Sequence, residues 1–285
     1  MYKTEELLNG AVDMHVHANP DFHPRRFDER GILEDAQNYG LRAVVSKSHY
    51  VPNADRCSVI NTLFEDIDCF GGIVLNPSAG GFNPYAVEAA IRFGAKEVWM
   101  PSFYSKEHIL RFPAFKGAIE YPGEGMELTT AEGKLQKPLL EILDLIRQND
   151  IILGTSHSSA KEIGILVQEA NKIGIKKIII THPYCPVPDL SLDQQAELAE
   201  AGAYLELCLY SAMPISGKIS IRDFAQTIQR VGASNIVLGT DFGQPFNPTP
   251  GEGMRLFCEN LLAVGISHQD IEVMIKRNTY KLLNL

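Results

Sequence analysis

The stretch GIKKIIITH, residues 174–182, contains one complete structural unit that recurs along the chain. It begins with a glycine that can end a helix, because glycine adopts the left-handed backbone conformation at little cost. A nearly all-apolar run follows, which is typical of a parallel strand buried on both faces. A histidine closes the run. The stretch therefore predicts the end of a helix, a buried strand and a polar strand tip.

The same order of glycine and strand appears in four other places. Segments that begin at Gly40, Gly94, Gly202 and Gly232 read GLRAVV, GAKEVW, GAYLEL and GASNIV. Eight strands are predicted, near residues 11–17, 43–49, 72–76, 97–101, 151–157, 177–182, 203–208 and 236–241, with helices such as 84–93, 138–148 and 160–173 between them. Eight such units predict an α/β fold, a (β/α)8 TIM-type barrel. A doubly wound open sheet is the competitor, but no G-x-G-x-x-G motif follows the first strand.

One connection in this pattern is long. Residues 102–136 contain YPGEGMELTTAEGKLQ, whose glycines, proline and short β-prone piece indicate a hairpin or lid-like insertion after the fourth strand. The sequence has no low-complexity stretch or linker, so residues 1–285 are predicted to form a single barrel domain. Residues from about 252 to 285 are expected to form one or two closing helices.

The composition limits the classes of function. Hydrophobic residues make up 45% and charged residues 21%, as in ordinary globular proteins. The net charge of -9 argues against a broad surface for nucleic acid or anionic membranes. No apolar run is long enough to cross a bilayer, and the polar start does not resemble a signal peptide. Five cysteines without a C-x-x-C pair favour a reduced, cytoplasmic protein. A small-molecule substrate is the expected partner, and a homo-oligomer is an open alternative.

Polar side chains collect at the predicted carboxyl ends of the strands, where barrel active sites lie. In AVDMHVH, residues 11–17, alternation would place Asp13, His15 and His17 on one face. Two imidazoles at positions i and i+2 can converge on one metal ion. The other strand tips carry Lys47, His49, His157, His182 and Asp241. We therefore predict a metal site at this end of the barrel. The alternative is a set of structural histidines bonded to backbone carbonyls.

The motifs DMHVH, SHSS after the fifth strand, THP after the sixth and GTDFG after the eighth resemble the amidohydrolase superfamily of metal-dependent hydrolases, in an uncharacterised subfamily. The resemblance extends from residue 11 to about 282. It implies that His15, His17, His157 and Asp241 are metal ligands and that His182 binds a second metal or the substrate. It also implies that Asp241 takes the proton of the attacking water. The implied cofactor is a divalent metal, with zinc favoured over manganese or iron, at one or two ions per chain.

One departure from that family concerns the number of metal ions. Many two-metal relatives carry a carboxylated lysine at the tip of the fourth strand, but here this strand ends in Trp99-Met100-Pro101. The lysine of this sequence is Lys47, on the second strand. Because a lysine inside a barrel is costly unless it is paired or used, we expect a catalytic role for Lys47. The alternatives are that Lys47 is modified, that it is a charged substrate contact, or that it pairs with Asp241 or another carboxylate. A single firmly held metal is the favoured prediction.

Further residues near the strand tips are predicted as substrate contacts, and they are His49, Asn76, Trp99, Tyr184 and Gln244. Asp13 is expected to support a metal ligand rather than to bind the metal itself. Arg25 and Arg26 could clamp an anion, but a solvated or salt-bridged pair is favoured. His108 and His268 are assigned no role.

The leading functional hypothesis is a metal-dependent hydrolase. In it, metal-activated water attacks an amide, lactone or ester-like bond of a small polar substrate, with Asp241, His182 and Lys47 as catalytic residues. One alternative is a single-metal decarboxylase or other lyase of the same superfamily. A phosphoesterase would need more carboxylate ligands than the strand tips offer. A non-catalytic ligand-binding barrel is the alternative from a different class.

Overall fold

The computed structural model describes residues 4–114, 117–121, 123–216 and 219–285. Its strands are β1 Val12–Val16, β2 Ala43–Ser46, β3 Asp68–Phe70, β4 Gly72–Val74, β5 Glu97–Trp99, β6 Ile152–Gly154, β7 Ile178–Ile180, β8 Tyr204–Cys208 and β9 Ile236–Gly239. The paired strands are parallel, as the apolar runs in the sequence predict. Most strands end two or three residues before the predicted boundary.

The strands are arranged in a ring that follows the order of the chain. β1 to β3 form one sheet and β4 to β9 form another. β3 and β4 are halves of one barrel strand that is interrupted at Gly71, and the Asn53 side chain bridges the interruption by accepting from Gly72 N and donating to Ser46 O, both at 2.9 Å. The other ends meet where Asp241 N donates to His15 O at 2.7 Å. The TIM-type barrel predicted from the sequence is confirmed, with a broken third strand.

Helices connect the strands. They are α1 Thr4–Leu8, α2 Glu29–Asn38, α3 Ala54–Asn61, α4 Pro84–Arg92, α5 Lys106–Arg111, α6 Lys137–Gln148, α7 Ala160–Ile173, α8 Leu192–Glu200, α9 Ile221–Val231, α10 Pro250–Ala263, α11 His268–Glu272 and α12 Asn278–Leu283, with a π-helical turn at Val273–Arg277 and 3-10 turns at Pro77–Ala79, Leu209–Ala212 and Ala233–Asn235. The start of α7 is fixed by a capping box between Ser159 and Glu162. No helix among the described residues is long and apolar enough to cross a membrane.

The five glycines that were predicted to end helices all have positive φ, at 77° for Gly40, 94° for Gly94, 91° for Gly174, 93° for Gly202 and 88° for Gly232. This backbone region is strained for residues with a side chain, so glycine is required there. Gly232 differs from the prediction in one respect. Its ψ of 144° leads into a 3-10 turn and is not left-handed helical.

The face pattern predicted for the first strand is wrong because β1 contains an irregularity. Val12 and Asp13 pair with Ala43 and Val44, but Val16 pairs with Ser46, so one extra residue is inserted in β1. Val12 and Met14 pack inside the barrel with Trp99, whereas Val16 belongs to the outer core between barrel and helices. A β-bulge re-aims the side chains that follow it. His15 and His17 therefore point inward, and Asp13 does not share their face.

The long insertion contains α5 and a short hairpin. Thr129 and Leu135 form an antiparallel bridge, and Thr130 N donates to Lys134 O at 2.7 Å. Ser105 pairs with Met126, which ties the insertion to the start of α5. Residues 115, 116 and 122 of the predicted insertion lie outside the described residues.

Candidate metal centre

A cavity of about 790 Å³ lies at the carboxyl ends of the barrel strands. The predicted site residues that line it are His15, His17, Lys47, His49, His157, His182, Asp241 and Gln244. The five predicted metal ligands are thus brought into one cavity, although they come from four different strands. Their assignment as ligands stays a prediction.

Two groups of side chains have potential ligand atoms that all lie within 4.8 Å of one another. One consists of His15, Glu206 and Cys208, and the other, which faces the cavity, consists of His15, His17 and Asp241. His17 Nδ1 donates to the Lys47 carbonyl oxygen at 2.8 Å. A neutral imidazole carries only one N–H. His17 Nε2 is therefore unprotonated and offers a lone pair as an acceptor. It lies 3.0 Å from Asp241 Oδ1, which is also an acceptor. Two acceptors at this distance need a cation between them, and this donor set fits a metal ion.

His15 presents a similar arrangement. Its Nδ1 lies 3.0 Å from Glu206 Oε2, and its Nε2 lies 3.6 Å from Asp241 Oδ1. His15 Nε2 is buried and has no hydrogen-bond partner within the described ranges. A carboxylate on the far nitrogen of a ligating histidine is the usual way to orient the ring. The geometry therefore turns the Nε2 atoms of both histidines toward the same carboxylate.

Burial sets the protonation of these groups. It lowers the pKa of His15 to about 3, that of His17 to about 4 and that of His182 to about 3. Burial alone would raise the pKa of Asp241, but the neighbouring His15 and His17 outweigh it and hold that pKa below its usual value. At neutral pH the site thus offers neutral imidazoles and a carboxylate, which are the metal-binding forms.

His157 and His182 adjoin this group. The ring centroids of His157 and His182 are 5.0 Å apart, and those of His15 and His182 are 5.9 Å apart. His157 Nδ1 lies 2.8 Å from His108 Nδ1, so one of these two atoms carries the proton. His108 was assigned no role from its helical surroundings, but it lines the cavity and holds His157. It could not be found from the sequence, because α5 belongs to the irregular insertion.

The backbone at the strand tips is strained where it delivers these side chains. φ is 49° at Ser156, 30° at His182 and 57° at Asp241, in a region that L-residues rarely adopt. Such outliers cluster at functional sites. Asp13 stabilises this region by accepting from His15 N at 3.1 Å and from Thr240 N at 2.9 Å, which agrees with the supporting role expected for it.

Ionisable side chains also lie beneath the candidate ligands, inside the barrel. Lys47, Glu97 and Glu206 are almost fully buried. Burial raises the pKa of Glu206 to about 7 and that of Glu97 well above its usual value, and it lowers the pKa of Lys47. Glu206 was missed in the sequence, although an acidic residue in the apolar run AYLELC is the signal that could have revealed it. Glu97 is the first residue of β5.

Of the five predicted substrate contacts, two line the cavity and three do not. His49 and Gln244 line the cavity. Asn76 does not, since it is fully buried and donates to His49 O and Ser102 Oγ, both at 2.8 Å. Trp99 is 1% exposed in the barrel interior, and Tyr184 Oη bonds to Thr227 at 2.6 Å. These three residues therefore support the fold around the site instead of facing the cavity.

The salt-bridged state favoured by the sequence holds for Arg25, whereas Arg26 donates to backbone carbonyls instead. Arg25 forms an ion pair with Asp21 at 2.8 Å, and it also lines the cavity. Arg26 donates to Pro245 O at 2.5 Å and to Asn247 O at 2.7 Å. Arg26 thus fixes the loop that follows β9.

Comparison with known proteins gives one family and a shared fold. Solved structures similar to this chain include an amidohydrolase from Pseudomonas aeruginosa, with a TM-score of 0.69, 16% identity and coverage of 99% of this chain and 98% of that chain. A metallopeptidase described as dipeptidase AC has a TM-score of 0.62, 13% identity and coverage of 97% and 98%. A 2,6-dihydroxybenzoate decarboxylase has a TM-score of 0.59, 12% identity and coverage of 97% and 100%.

At these identities the similarity shows the fold, and it confirms the resemblance to amidohydrolase-type barrels that the motifs indicated. No curated protein matches the chain. The model of a family described as "Family of unknown function (DUF6282)" matches residues 10–206, which is more than half of the chain. The chain therefore belongs to this family of unknown function, DUF6282, and has the barrel fold of amidohydrolase-type enzymes.

Proposed function

We propose that this protein is a metal-dependent hydrolase in which His15, His17 and Asp241 hold a divalent cation, with zinc favoured over manganese or iron. The observation that carries the proposal is the close approach of His17 Nε2 to Asp241 Oδ1 at 3.0 Å, with the other ring nitrogen committed to the Lys47 carbonyl. His157 and His182 are further candidate ligands beside this group. The shared fold of named hydrolases supports the proposal as an analogy.

When bound, the cation supplies a water of lowered pKa and a Lewis acid for the bond under attack. The chain supplies the other functions. Asp241, a carboxylate at neutral pH, accepts the proton of the attacking water and passes it to the leaving group. His182 lines the cavity, so its ring can contact the substrate or a second metal ion. Lys47 lies at the cavity floor, and its Nζ is buried without a hydrogen-bond partner in the described chain. Its ammonium group stabilises negative charge that develops on the substrate.

The first test is the metal content of the purified protein, measured by plasma mass spectrometry without chelator or affinity nickel. We expect a transition metal bound to the wild-type protein and its loss in a His15→Ala/His17→Ala variant. A His268→Ala variant is the control, since His268 lies at the start of α11 and outside the cavity lining. A metal-free wild-type protein, even after soaking in zinc and manganese, would contradict the proposal.

The second test identifies the reaction. Metal-loaded wild type and Asp241→Asn are assayed on amides, lactones and esters, with the products identified by mass spectrometry. We expect hydrolysis by the wild type and at least about a hundredfold lower kcat in Asp241→Asn, because this substitution removes a general base that is also a proposed metal ligand. Release of carbon dioxide without hydrolysis would favour the lyase alternative instead.

A further inference from the structure

The cavity changes in chemical character from its floor to its mouth. At the floor, His15 is 1% exposed and His182 3% exposed. At the mouth, Phe246 is 60% exposed. The side chains that line the rest of the cavity are mainly aromatic or apolar, and they include Phe103, Phe112, Tyr210 and Pro245. The candidate metal ligands thus lie at the floor of a cavity whose remaining lining is mainly apolar, with His23, Arg25, His108 and Gln244 as its other polar side chains. Apolar walls with a few polar groups are the usual construction of a small-molecule site.

One aromatic wall adjoins the candidate metal ligands directly. Phe103 stacks on His49 with ring centroids 3.9 Å apart, and its edge meets His157 at 5.8 Å. Phe112 lies 4.9 Å from the ring of His108, which in turn holds His157. Both phenylalanines belong to the long insertion after β5. A group attached beside a reacting bond at the metal ligands would therefore meet ring surfaces.

The opposite wall is formed by the loop after β9, whose backbone is held firmly. Arg26 binds the carbonyls of Pro245 and Asn247, and Asn247 Nδ2 donates to Gln244 Oε1 at 2.7 Å. Phe246 lies between these anchors, and its ring stays largely in solvent at the cavity mouth. Phe246 therefore presents an apolar ring surface to the cavity that it lines.

From these walls we infer that the substrate carries an aryl group, or an apolar group of similar size, that contacts Phe112 and Phe246. The reacting bond lies at His15, His17 and Asp241, and this placement rests on the proposed function. A cavity of about 790 Å³ is also larger than a small polar molecule requires. The inference therefore replaces the small polar substrate that was expected from the sequence.

The test uses two ligands that share a carboxylate and differ by a phenyl ring, 3-phenylpropanoate and propanoate. Their dissociation constants are measured by calorimetry on the zinc-loaded protein. We expect 3-phenylpropanoate to bind at least about tenfold more tightly, since one apolar group in a fitted pocket contributes that much or more. Phe112→Ala and Phe246→Ala should each reduce the ratio several-fold.

Phe93→Ala is the matched control. Phe93 is 62% exposed, like Phe246, but it follows α4 at the amino end of β5, on the far side of the barrel. This variant should keep the wild-type ratio. Equal affinities for the two ligands, or a ratio that no cavity variant changes, would overturn the inference.

The methyl esters of the same two acids separate this inference from the proposed function. Preferential binding of 3-phenylpropanoate without turnover of any ester, amide or lactone would sustain the aryl pocket and contradict the hydrolase. Hydrolysis of both esters at equal kcat/KM would sustain the hydrolase and contradict the aryl pocket.

Discussion

At the scale of single residues, Glu206 decides which nitrogen His15 presents to the cavity. We expect Glu206→Leu to weaken zinc binding by about ten- to a hundredfold, because the carboxylate that orients the ring is lost. Glu206→Gln keeps an acceptor oxygen and should retain much of the affinity. Competition with a chromophoric chelator measures both variants. If the leucine variant bound zinc as tightly as the wild type, the positioning role of Glu206 would be refuted.

The same scale shows what the sequence could predict about the site and what it could not. The spacing of His15 and His17 predicts a pair on one strand face, and the structure confirms that they share it. The sequence does not reveal the extra residue between Asp13 and Val16, because a bulge has no fixed residue pattern when no glycine marks it. Asp13 was therefore placed on the wrong face, although its supporting role was anticipated.

At the scale of secondary-structure elements, Gly154 in β6 leaves the space that Glu97 and Trp99 occupy. A methyl group at Gly154 would overlap Glu97 Oε1 and would lie 2.5 Å from Trp99 Cδ1. We expect Gly154→Ala to lower the free energy of unfolding by about 1–3 kcal/mol, the usual cost of overpacking a core. Urea denaturation measures the change.

Gly164→Ala is the control for this substitution. Gly164 lies within α7, and a methyl group there meets nothing within 4 Å. Because alanine is the better helix former by about 1 kcal/mol, this variant should be as stable as the wild type or more stable. Equal effects of the two substitutions would show that packing around Glu97 does not restrict β6.

The strand boundaries illustrate the limit of sequence patterns at this scale. The apolar runs predicted the positions of the barrel strands correctly, because strands that are buried on both faces consist mainly of apolar residues. The predicted ends at His157, His182 and Asp241 extended too far. The backbone has positive φ at Ser156, His182 and Asp241, beyond the ends of the strands. Because positive φ is uncommon for every residue except glycine, the sequence does not show where these turns begin.

At the scale of the whole molecule, the buried Glu97 makes stability depend on pH. Its two carboxyl oxygens have no hydrogen-bond partner in the described chain, and burial raises its pKa well above 4.5. The folded state therefore holds the proton more tightly than the unfolded state. The resulting cost is absent below pH 4.5 and grows as the pH rises toward the folded-state pKa.

Glu97→Gln removes this titration. We expect the stability of this variant relative to the wild type to increase between pH 5 and 8, by about 1 kcal/mol or more, since each unit of pKa shift is worth about 1.4 kcal/mol. Urea midpoints across this range measure it. Glu88→Gln is the control, because Glu88 lies on the exposed face of α4 and pairs with Arg92. A constant difference across the range would contradict a buried, proton-binding Glu97.

Trp99 gives the molecule an internal optical reporter. It is the only tryptophan of the chain, and its ring lies 5.7 Å from Lys47 Nζ at the floor of the cavity. Indole emission depends on nearby charge and on contact with water. The fluorescence of the unlabelled protein therefore originates at a single known point, directly under the candidate metal centre, and any event that alters the charge of Lys47 can be followed there by light alone.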